Sequence, residues 1–259
     1  MKNSLAPVLA LALALTSCLL GQVPDPAPAA PPPQPDRTVS WIKLVPNVAS
    51  DQKQIWTFPT KLEKKKYWIP AAAIVGVTAS LVALDPKTAP YFRRTSTFNG
   101  FNGVFSGNHT STGILVAPLA IYAAGLIRKD SKMQSTALFA GEAVADAEIL
   151  TTVMKDVDRR LRPADIAPNG DFSDSWFRDK RYLRSNGSFP SGHTIAAFSV
   201  ATIVARRYGT QHRWVPYVAY GSALLVGFSR MTLSAHFPSD VFMGAALGYS
   251  ISRFTVLRE

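Results

Sequence analysis

Residues 190–205 read PSGHTIAAFSVATIVA, a turn followed directly by an apolar run. Proline suits the first turn of a helix, serine is a frequent cap, and glycine lets the backbone approach a ligand closely. The run from Thr194 to Ala205 contains no charge and predicts a helix that starts at this turn. Free N–H groups at a helix start form an anion site. Taken alone, the segment 190–193 fits a plain helix cap equally well.

Further apolar segments have the same helical character, and none alternates in the manner of a strand bounded by hairpin turns. Small residues such as Gly244 and Gly248 are spaced for close contact between helices. The sequence therefore predicts an all-α fold, a six-helix bundle that is embedded in a membrane or associated with one. The six predicted helices cover residues 67–84, 112–128, 134–154, 192–207, 213–228 and 239–254.

The composition favours a membrane or envelope protein over a cytosolic one. The chain has 259 residues, of which 47% are hydrophobic and only 17% charged, whereas ordinary soluble domains are roughly 25% charged. The net charge of +11 fits an anionic substrate or an anionic lipid surface. Nucleic acid is the other generic partner of a basic chain. No nucleic-acid-binding motif accompanies the charge, so no nucleic-acid partner is expected.

The cysteine and histidine content argues against a metal centre. Cys18 is the one cysteine, which excludes a disulfide within the chain and a cysteine-based metal site. The four histidines lack the spacing of zinc ligands, and no HExxH motif occurs. We therefore expect neither a metal nor another cofactor.

The N-terminal region is expected to precede the folded domain. Residues 1–20 carry an apolar run typical of a signal peptide. The step before Cys18 also resembles a lipoprotein cleavage box, which we favour slightly over an ordinary cut near residues 27–30. Residues 21–66 read as a proline- and alanine-rich linker followed by a basic segment. The helical domain is then predicted to cover residues 67–259.

Two further groups of polar residues flank the turn at 190–193. Lys155 is followed seven residues later by Arg162-Pro163, and Ser229-Arg230 is followed by His236 and Asp240. Arginine offers two-pronged donation to an anion and lysine offers a compact charge. Pro163 is expected to end the preceding helix, with Arg162 extended just before it. The residues point to a site that holds an anion with several charged oxygens beside an imidazole.

The three groups resemble the motifs of one superfamily, which comprises the type 2 phosphatidic acid phosphatases, bacterial class A acid phosphatases and vanadium haloperoxidases. All eleven motif positions are present without substitution. The resemblance extends over residues 67–255 in helix pattern, and its informative part is 155–240. It implies the helical-bundle fold of that superfamily.

The resemblance also implies a role for each motif residue. His236 would be the nucleophile that forms a phosphohistidine, and Asp240 would bind its other ring nitrogen. His193 would give a proton to the leaving alcohol, a task suited to a pKa near neutrality. The Ser191 hydroxyl and the amides of Ser191 and Gly192 would hold phosphate oxygens. The residues expected to bind phosphate are Lys155, Arg162, Ser191, Gly192 and Arg230.

The function expected from this resemblance is metal-independent hydrolysis of phosphate monoesters or pyrophosphates, with a phosphorylated lipid as the favoured substrate. Other phosphate esters remain alternatives, as for a soluble acid phosphatase of broad specificity. Vanadate can occupy a phosphate site as a mimic, so a vanadate-dependent haloperoxidase is a second alternative. A non-catalytic lipoprotein that presents a binding module is the third.

The expected location is the cell envelope, either membrane or periplasm. If all six helices cross a membrane, basic residues near 61–66, 128–132 and 206–213 fall on one side and the motifs on the other. The positive-inside rule then places the site away from the cytoplasm. A cleaved signal peptide would reverse this arrangement. Either the N-terminal run is not cleaved, or some of the helices do not cross and the bundle rests on the membrane. Residues 164–189 are a candidate substrate lid or a plain loop.

Overall fold

A computed structural model describes residues 37–61, 65–180 and 184–258. Regular secondary structure in these residues is helical throughout, which confirms the all-α prediction. The predicted signal peptide, Cys18 and the proline-rich part of the linker lie outside the described residues. The helices are α1 (Leu44–Trp56), α2 (Lys65–Arg94), α3 (Asn99–Val104), α4 (Gly107–Ile127), α5 (Ser131–Asp158), α6 (Gly192–Tyr208), α7 (Val215–Thr232) and α8 (Pro238–Ser250), the last continued by a π-helix (Ile251–Val256).

All six predicted helices are present, as α2 and α4 to α8. The largest difference is at the end of α2, which continues ten residues beyond the predicted end at Leu84 and includes Pro86 and Pro90. The predicted helix ended at Leu84 because the uncharged stretch ends there and Asp85 and Pro86 follow. The helix continues because Asp85 and Ala89 face the interior, where both are almost fully buried.

The compact helical unit begins at Arg37 and so includes residues that the sequence analysis placed in the segment before the helical domain. Helix α1, which the sequence placed in the linker segment, packs along α5 through polar contacts. Asn47 donates a hydrogen bond of 2.6 Å to Glu142, and Arg37 forms ion pairs with Asp51 and Glu142. Glu142 is about a hundred residues from both of its partners in the chain, and the sequence pattern of α1 alone does not indicate these contacts.

Helix α6 lies at the centre of the bundle and contacts α4, α5, α7 and α8. Its Ile195 and Ile203 are fully buried in the main core with Phe139 of α5. Helix α8 approaches α6 through glycine. A Cβ atom at Gly244 would lie 2.8 Å from the carbonyl oxygen of Ser191, and one at Gly248 would lie closer still to that of Ile195. The predicted role of small residues in helix contact is confirmed here.

Two of the described helices are long and apolar enough to cross a membrane, over Tyr67–Arg94 and Gly107–Ile127. Most of their apolar side chains are not covered by other parts of the described protein. Exposed examples include Leu115 and Leu119 of α4. Helices with so many uncovered apolar residues are typical of contact with lipid.

The contact between α6 and α8 makes a testable prediction. Gly248→Ala is expected to lower the free energy of unfolding by about 1–3 kcal/mol, because the added methyl overpacks the helix contact. Gly221→Ala in α7 is the matched control, since a Cβ there meets no atom within 4 Å. Alanine is the better helix former, so the control should be neutral or stabilising. Denaturant unfolding in detergent measures both, and equal stability of the two variants would contradict the packing described.

Candidate active site

Lys155 and Arg162 reach the site from the end of α5. The helix ends at Asp158, and Arg159 follows in a left-handed conformation with φ of 44°. Arg162 is extended, with φ of −79° and ψ of 149°, directly before Pro163, as the sequence predicted. The Lys155 ammonium lies beside the start of α6, where a Cβ on Gly192 would be 3.4 Å from Nζ. The absence of a side chain at Gly192 leaves room for this approach.

The turn at 188–192 differs from the sequence prediction in two details. The Phe189–Pro190 peptide bond is cis. The sequence predicted Pro190 in the first helical turn, but Pro190 comes before the N-cap residue of α6. Ser191 is the N-cap residue, and Gly192 begins α6. The Ser191 amide donates to the carbonyl oxygen of Asp240 at 3.0 Å. This N–H is therefore not available to a phosphate, which corrects the role predicted for it.

The Ser191 hydroxyl and the Gly192 amide remain candidates for phosphate contact. The hydroxyl is fully buried and lies 2.8 Å from the Thr194 hydroxyl, and either can be the donor. Gly192 is the first residue of α6, where backbone N–H groups have no helical carbonyl partner. Both residues thus keep the anion-binding character of a helix start.

His193 is held by α4, a helix that carries none of the three motifs. Its Nε2 atom lies 2.7 Å from the Ser111 hydroxyl and 3.2 Å from the Gly107 carbonyl oxygen. Gly107 also lies against Arg230, whose Nη1 would be 3.6 Å from a Cβ at that position. Sequence analysis missed Gly107 and Ser111, because residues 99–111 are rich in glycine and asparagine and read as a loop, whereas α4 already begins at Gly107.

Arg230 is buried and its orientation is set by neighbouring oxygens. Nη2 donates to the carbonyl of Phe105 at 2.6 Å, and Nε and Nη2 donate to the Ser229 hydroxyl. The motif serine thus orients the motif arginine. Thr232 exchanges hydrogen bonds with Asn102 of α3, which fastens the 99–105 segment to the end of α7 beside the site.

His236 is almost fully buried, and its hydrogen bond corrects a predicted role. Nδ1 lies 2.6 Å from the carbonyl oxygen of Ser188 and 3.6 Å from Oδ2 of Asp240. The hydrogen bond is with the backbone, and Asp240 acts at ion-pair distance rather than as the bound partner. A carbonyl only accepts, so the proton sits on Nδ1 and the lone pair on Nε2.

Asp240 is occupied by other donors, which explains this difference. Oδ2 accepts from the Ser188 hydroxyl and from the Phe237 amide at 2.8 Å. Oδ1 accepts from Nη1 of Arg160 at 2.5 Å. Asp240 thereby ties the start of α8 to the two segments that carry the other motifs.

Arg160 and Asp85 also belong to this region, and sequence analysis missed both. Arg160 is 1% exposed and donates to Asp85 Oδ2 at 2.7 Å. Its guanidinium lies over the rings of Trp176 and Phe237, at 4.4 and 3.9 Å from their centroids. A signal was present, since a carboxylate at 85 follows an uncharged apolar stretch and requires a buried partner.

The three motif cations lie close enough to repel one another. Burial lowers the pKa of Lys155 to about 8, and the charge of Arg162 adds to this effect. Burial also lowers the pKa of Arg230 to about 10, again with a contribution from Arg162. A bound anion among these side chains would offset both the loss of hydration on burial and the repulsion between the cations. The site is therefore suited to a polyvalent oxyanion.

Both motif histidines are neutral at neutral pH. Burial lowers the pKa of His193 to about 4, with repulsion from Arg230 as the next cause. Burial also lowers the pKa of His236 to about 4, although Asp240 opposes the shift. A neutral His236 has a lone pair and suits a nucleophile. The pKa near neutrality expected for His193 is not observed, and an anion among the cations would raise it.

The predicted lid is fastened to the first motif in its described part. Backbone hydrogen bonds join Leu161 to Ser175, Asp158 to Phe177, Arg159 to Asp179 and Arg160 to Ser188. These contacts hold the residues between Lys155 and Arg162 in place. Residues 175–180 and 184–188 are thus part of the base of the site.

An apolar pocket of about 270 Å³ lies next to this base. Its walls include residues that neighbour the motifs in sequence, since Asp158 is one turn after Lys155 and Phe189 is two residues before Ser191. A pocket of this composition fits an apolar group. It is lined by Trp56, Val153, Met154, Val157, Asp158, Trp176 and Phe189.

Comparison with known proteins finds similarity in the C-terminal half of the chain. The PAP2 superfamily model matches residues 136–258. The lipid A 1-phosphatase of Porphyromonas gingivalis is 43% identical over 70 residues, which are 26% of this chain and 16% of that protein. Phosphatidylglycerophosphatase B of Bacillus subtilis is 34% identical over 107 residues, 39% of this chain and 46% of that protein. The chain thus spans less than half the length of these two curated relatives.

One solved structure is also similar, a transmembrane PAP2 type phosphatidylglycerolphosphate phosphatase from Bacillus subtilis. It aligns over 83% of this chain and 92% of that chain, with a TM-score of 0.40 and 20% sequence identity. The matched segment 136–258 contains every residue of the three motifs, from Lys155 to Asp240. This segment of the chain is similar to the PAP2 superfamily, as the motifs predicted.

Proposed function

We propose that this chain is a metal-independent phosphatase that hydrolyses phosphate monoesters or pyrophosphates of lipids through a phosphohistidine intermediate. One observation carries the proposal. The buried imidazole of His236 has its proton held on Nδ1 by the Ser188 carbonyl, and the charges of Lys155 and Arg162 act on the same ring. This geometry supports attack by Nε2 on a phosphorus atom whose oxygens are bound by cations.

The first step transfers the phosphoryl group to the enzyme. Nε2 of His236 forms a bond to phosphorus while the bond from phosphorus to the ester oxygen breaks. The imidazolium that develops is stabilised by Asp240 at 3.6 Å and by the Ser188 carbonyl. The leaving oxygen takes a proton from His193, which becomes a donor once the bound phosphate raises its pKa.

The second step releases phosphate. A water molecule gives a proton to His193 and attacks phosphorus, and the bond to Nε2 breaks. Lys155, Arg162 and Arg230 bind the equatorial oxygens in both steps and neutralise the charge that builds up on them. The proposal assigns this task to the three cations and needs no metal or other cofactor. Vanadate would bind among the same cations as a phosphate mimic.

A lipid phosphate is the proposed substrate class. Most residues of the two apolar helices α2 and α4 are not buried inside the described protein. The apolar pocket is lined in part by Asp158 and Phe189, which lie close in sequence to motif residues. The relatives named above act on lipid A and on phosphatidylglycerophosphate by their names. These features favour a phosphate carried by a lipid over a soluble phosphate ester.

A membrane or envelope location follows from the same helices and relatives. We propose that the active site faces away from the cytoplasm, on the basis of the basic residues that follow α4 and α6 in the sequence. Lipidation of Cys18 stays a prediction from the sequence.

The mechanism predicts different effects for the two histidines. His236→Asn is expected to lower kcat/KM by roughly 10⁴-fold or more on every substrate, because the nucleophile is lost. His193→Gln is expected to cost about 10²–10⁴-fold on an alkyl phosphate. The same variant should lose much less kcat/KM on p-nitrophenyl phosphate. Its leaving group needs no proton, and kcat/KM reports the first step rather than the later attack of water.

Steady-state kinetics on both substrates measure these effects, with His212→Gln at an exposed position as the control. Retention of activity by His236→Asn would contradict the proposed nucleophile. Equal losses on both substrates in His193→Gln would contradict a proton donor at that position.

The substrate class predicts a selective effect in the pocket. Val157→Asp is expected to raise KM for a long-chain phosphatidate by about fourfold or more, the equivalent of one buried methylene. Its KM for glycerol phosphate should stay unchanged. Val45→Asp in α1 is the control, because this exposed valine lies away from the pocket.

The assay uses mixed micelles of phosphatidate, phosphatidylglycerol phosphate, a polyprenyl pyrophosphate or lipid A, alongside soluble esters. Faster turnover of soluble esters than of every lipid would favour a broad-specificity acid phosphatase instead.

A further inference from the structure

Arg160 is buried between two carboxylates although it belongs to none of the three motifs. Its Nη1 donates to Asp240 Oδ1 at 2.5 Å and to the Ser239 hydroxyl at 2.8 Å. Its Nη2 donates to Asp85 Oδ2 at 2.7 Å, and Nε donates to Ser175 at 3.1 Å. The guanidinium is thus fixed on three edges by acceptors from α2, from α8 and from the segment after the first motif.

A charge in such a place requires an explanation. Burying an arginine is costly unless charged partners and hydrogen bonds compensate for the lost hydration. Two rings cover the guanidinium faces, so its position has little freedom. Ser239 links the two carboxylates by donating its amide and hydroxyl to Asp85. Arg160, Asp85 and Ser239 together hold the Asp240 carboxylate of the site in one orientation.

We infer that Arg160 is a positioning residue for the proposed reaction, which fixes the Asp240 carboxylate and thereby sets the protonation of His236. The inference rests on the proposed function, in which His236 is the nucleophile. Because Arg160 holds Oδ1, the other oxygen is directed to Ser188 and Phe237 and lies 3.6 Å from Nδ1 of His236. Arg160 does not touch the reacting atoms.

The charges around the pair determine the expected pH effect. Asp85, Arg160, Lys155, Arg162 and Asp158 act on His236 or Asp240. Burial works to raise the pKa of Asp240, and Arg160 is the first of the interactions that bring it below its ordinary value. The active form needs an ionised Asp240 and a neutral His236. Removing a nearby cation raises the proton affinity of the pair, whichever member takes the proton.

The experiment compares variants that change this charge with opposite signs. Arg160→Gln removes the cation. The pH at which kcat/KM falls on the acidic side of its profile (the acidic limb) is then expected to rise by about one pH unit or more. Asp85→Asn removes an anion and keeps Arg160, so its limb should move to lower pH. Arg160→Lys restores the charge and should return the limb toward wild type. The maximal kcat/KM of Arg160→Lys should stay below that of the wild type, because an ammonium lacks the planar guanidinium that contacts both carboxylates.

The readouts separate positioning from a structural role. The pH profiles use p-nitrophenyl phosphate, and thermal unfolding identifies variants that fail to fold. A lower maximal kcat/KM with unmoved acidic limbs in Arg160→Gln and Asp85→Asn would overturn the inference. The NMR titration of the His236 ring in wild type and Arg160→Gln needs no turnover. An upward shift in this titration would support the charge effect even if the chain were not a phosphatase, and an unchanged titration would overturn it.

Discussion

The carboxylate of Asp240 joins the separate parts of this site. It accepts from Arg160 after α5, from Ser188 before α6 and from the backbone at the start of α8. Its own carbonyl accepts from the Ser191 amide. Three motifs that are far apart in the chain meet because a residue within or beside each motif segment donates to this one residue. The imidazole of His236 is then held between Asp240 and the Ser188 carbonyl, with its lone pair on Nε2.

The motif residues and most of the helices could be predicted from the sequence, because their signals are local. Apolar runs predicted α2 and α4 to α8, and Pro163 predicted the extended conformation of Arg162. The contacts of Arg160, Asp85 and Ser111 could not be predicted. Arg160 and Asp85 lie 75 residues apart in the chain and Ser111 and His193 lie 82 apart, and no local spacing indicates such pairs. The Ser188 carbonyl was missed because backbone acceptors leave no sequence pattern.

The polar contacts of residues 37–56 explain why α5 carries acidic side chains at buried positions. Glu142 and Asp146 are buried, and the sequence alone offered them no partner. The structure supplies Arg37 and Asn47 for Glu142 and Gln52 for Asp146. Burial still raises the pKa of Asp146 to about 7. These side chains attach α1 to the bundle, which is why the compact helical unit includes this helix.

The most direct test of the account is to locate the phosphoryl group on the enzyme during turnover. A rapid base quench with radiolabelled substrate preserves phosphohistidine, and mass spectrometry with ³¹P NMR assigns the residue and the ring nitrogen. The account predicts a phosphoryl group on Nε2 of His236, because Nδ1 is engaged with the Ser188 carbonyl. Phosphorylation of Nδ1 or of His193, or turnover without any phosphoenzyme, would contradict it.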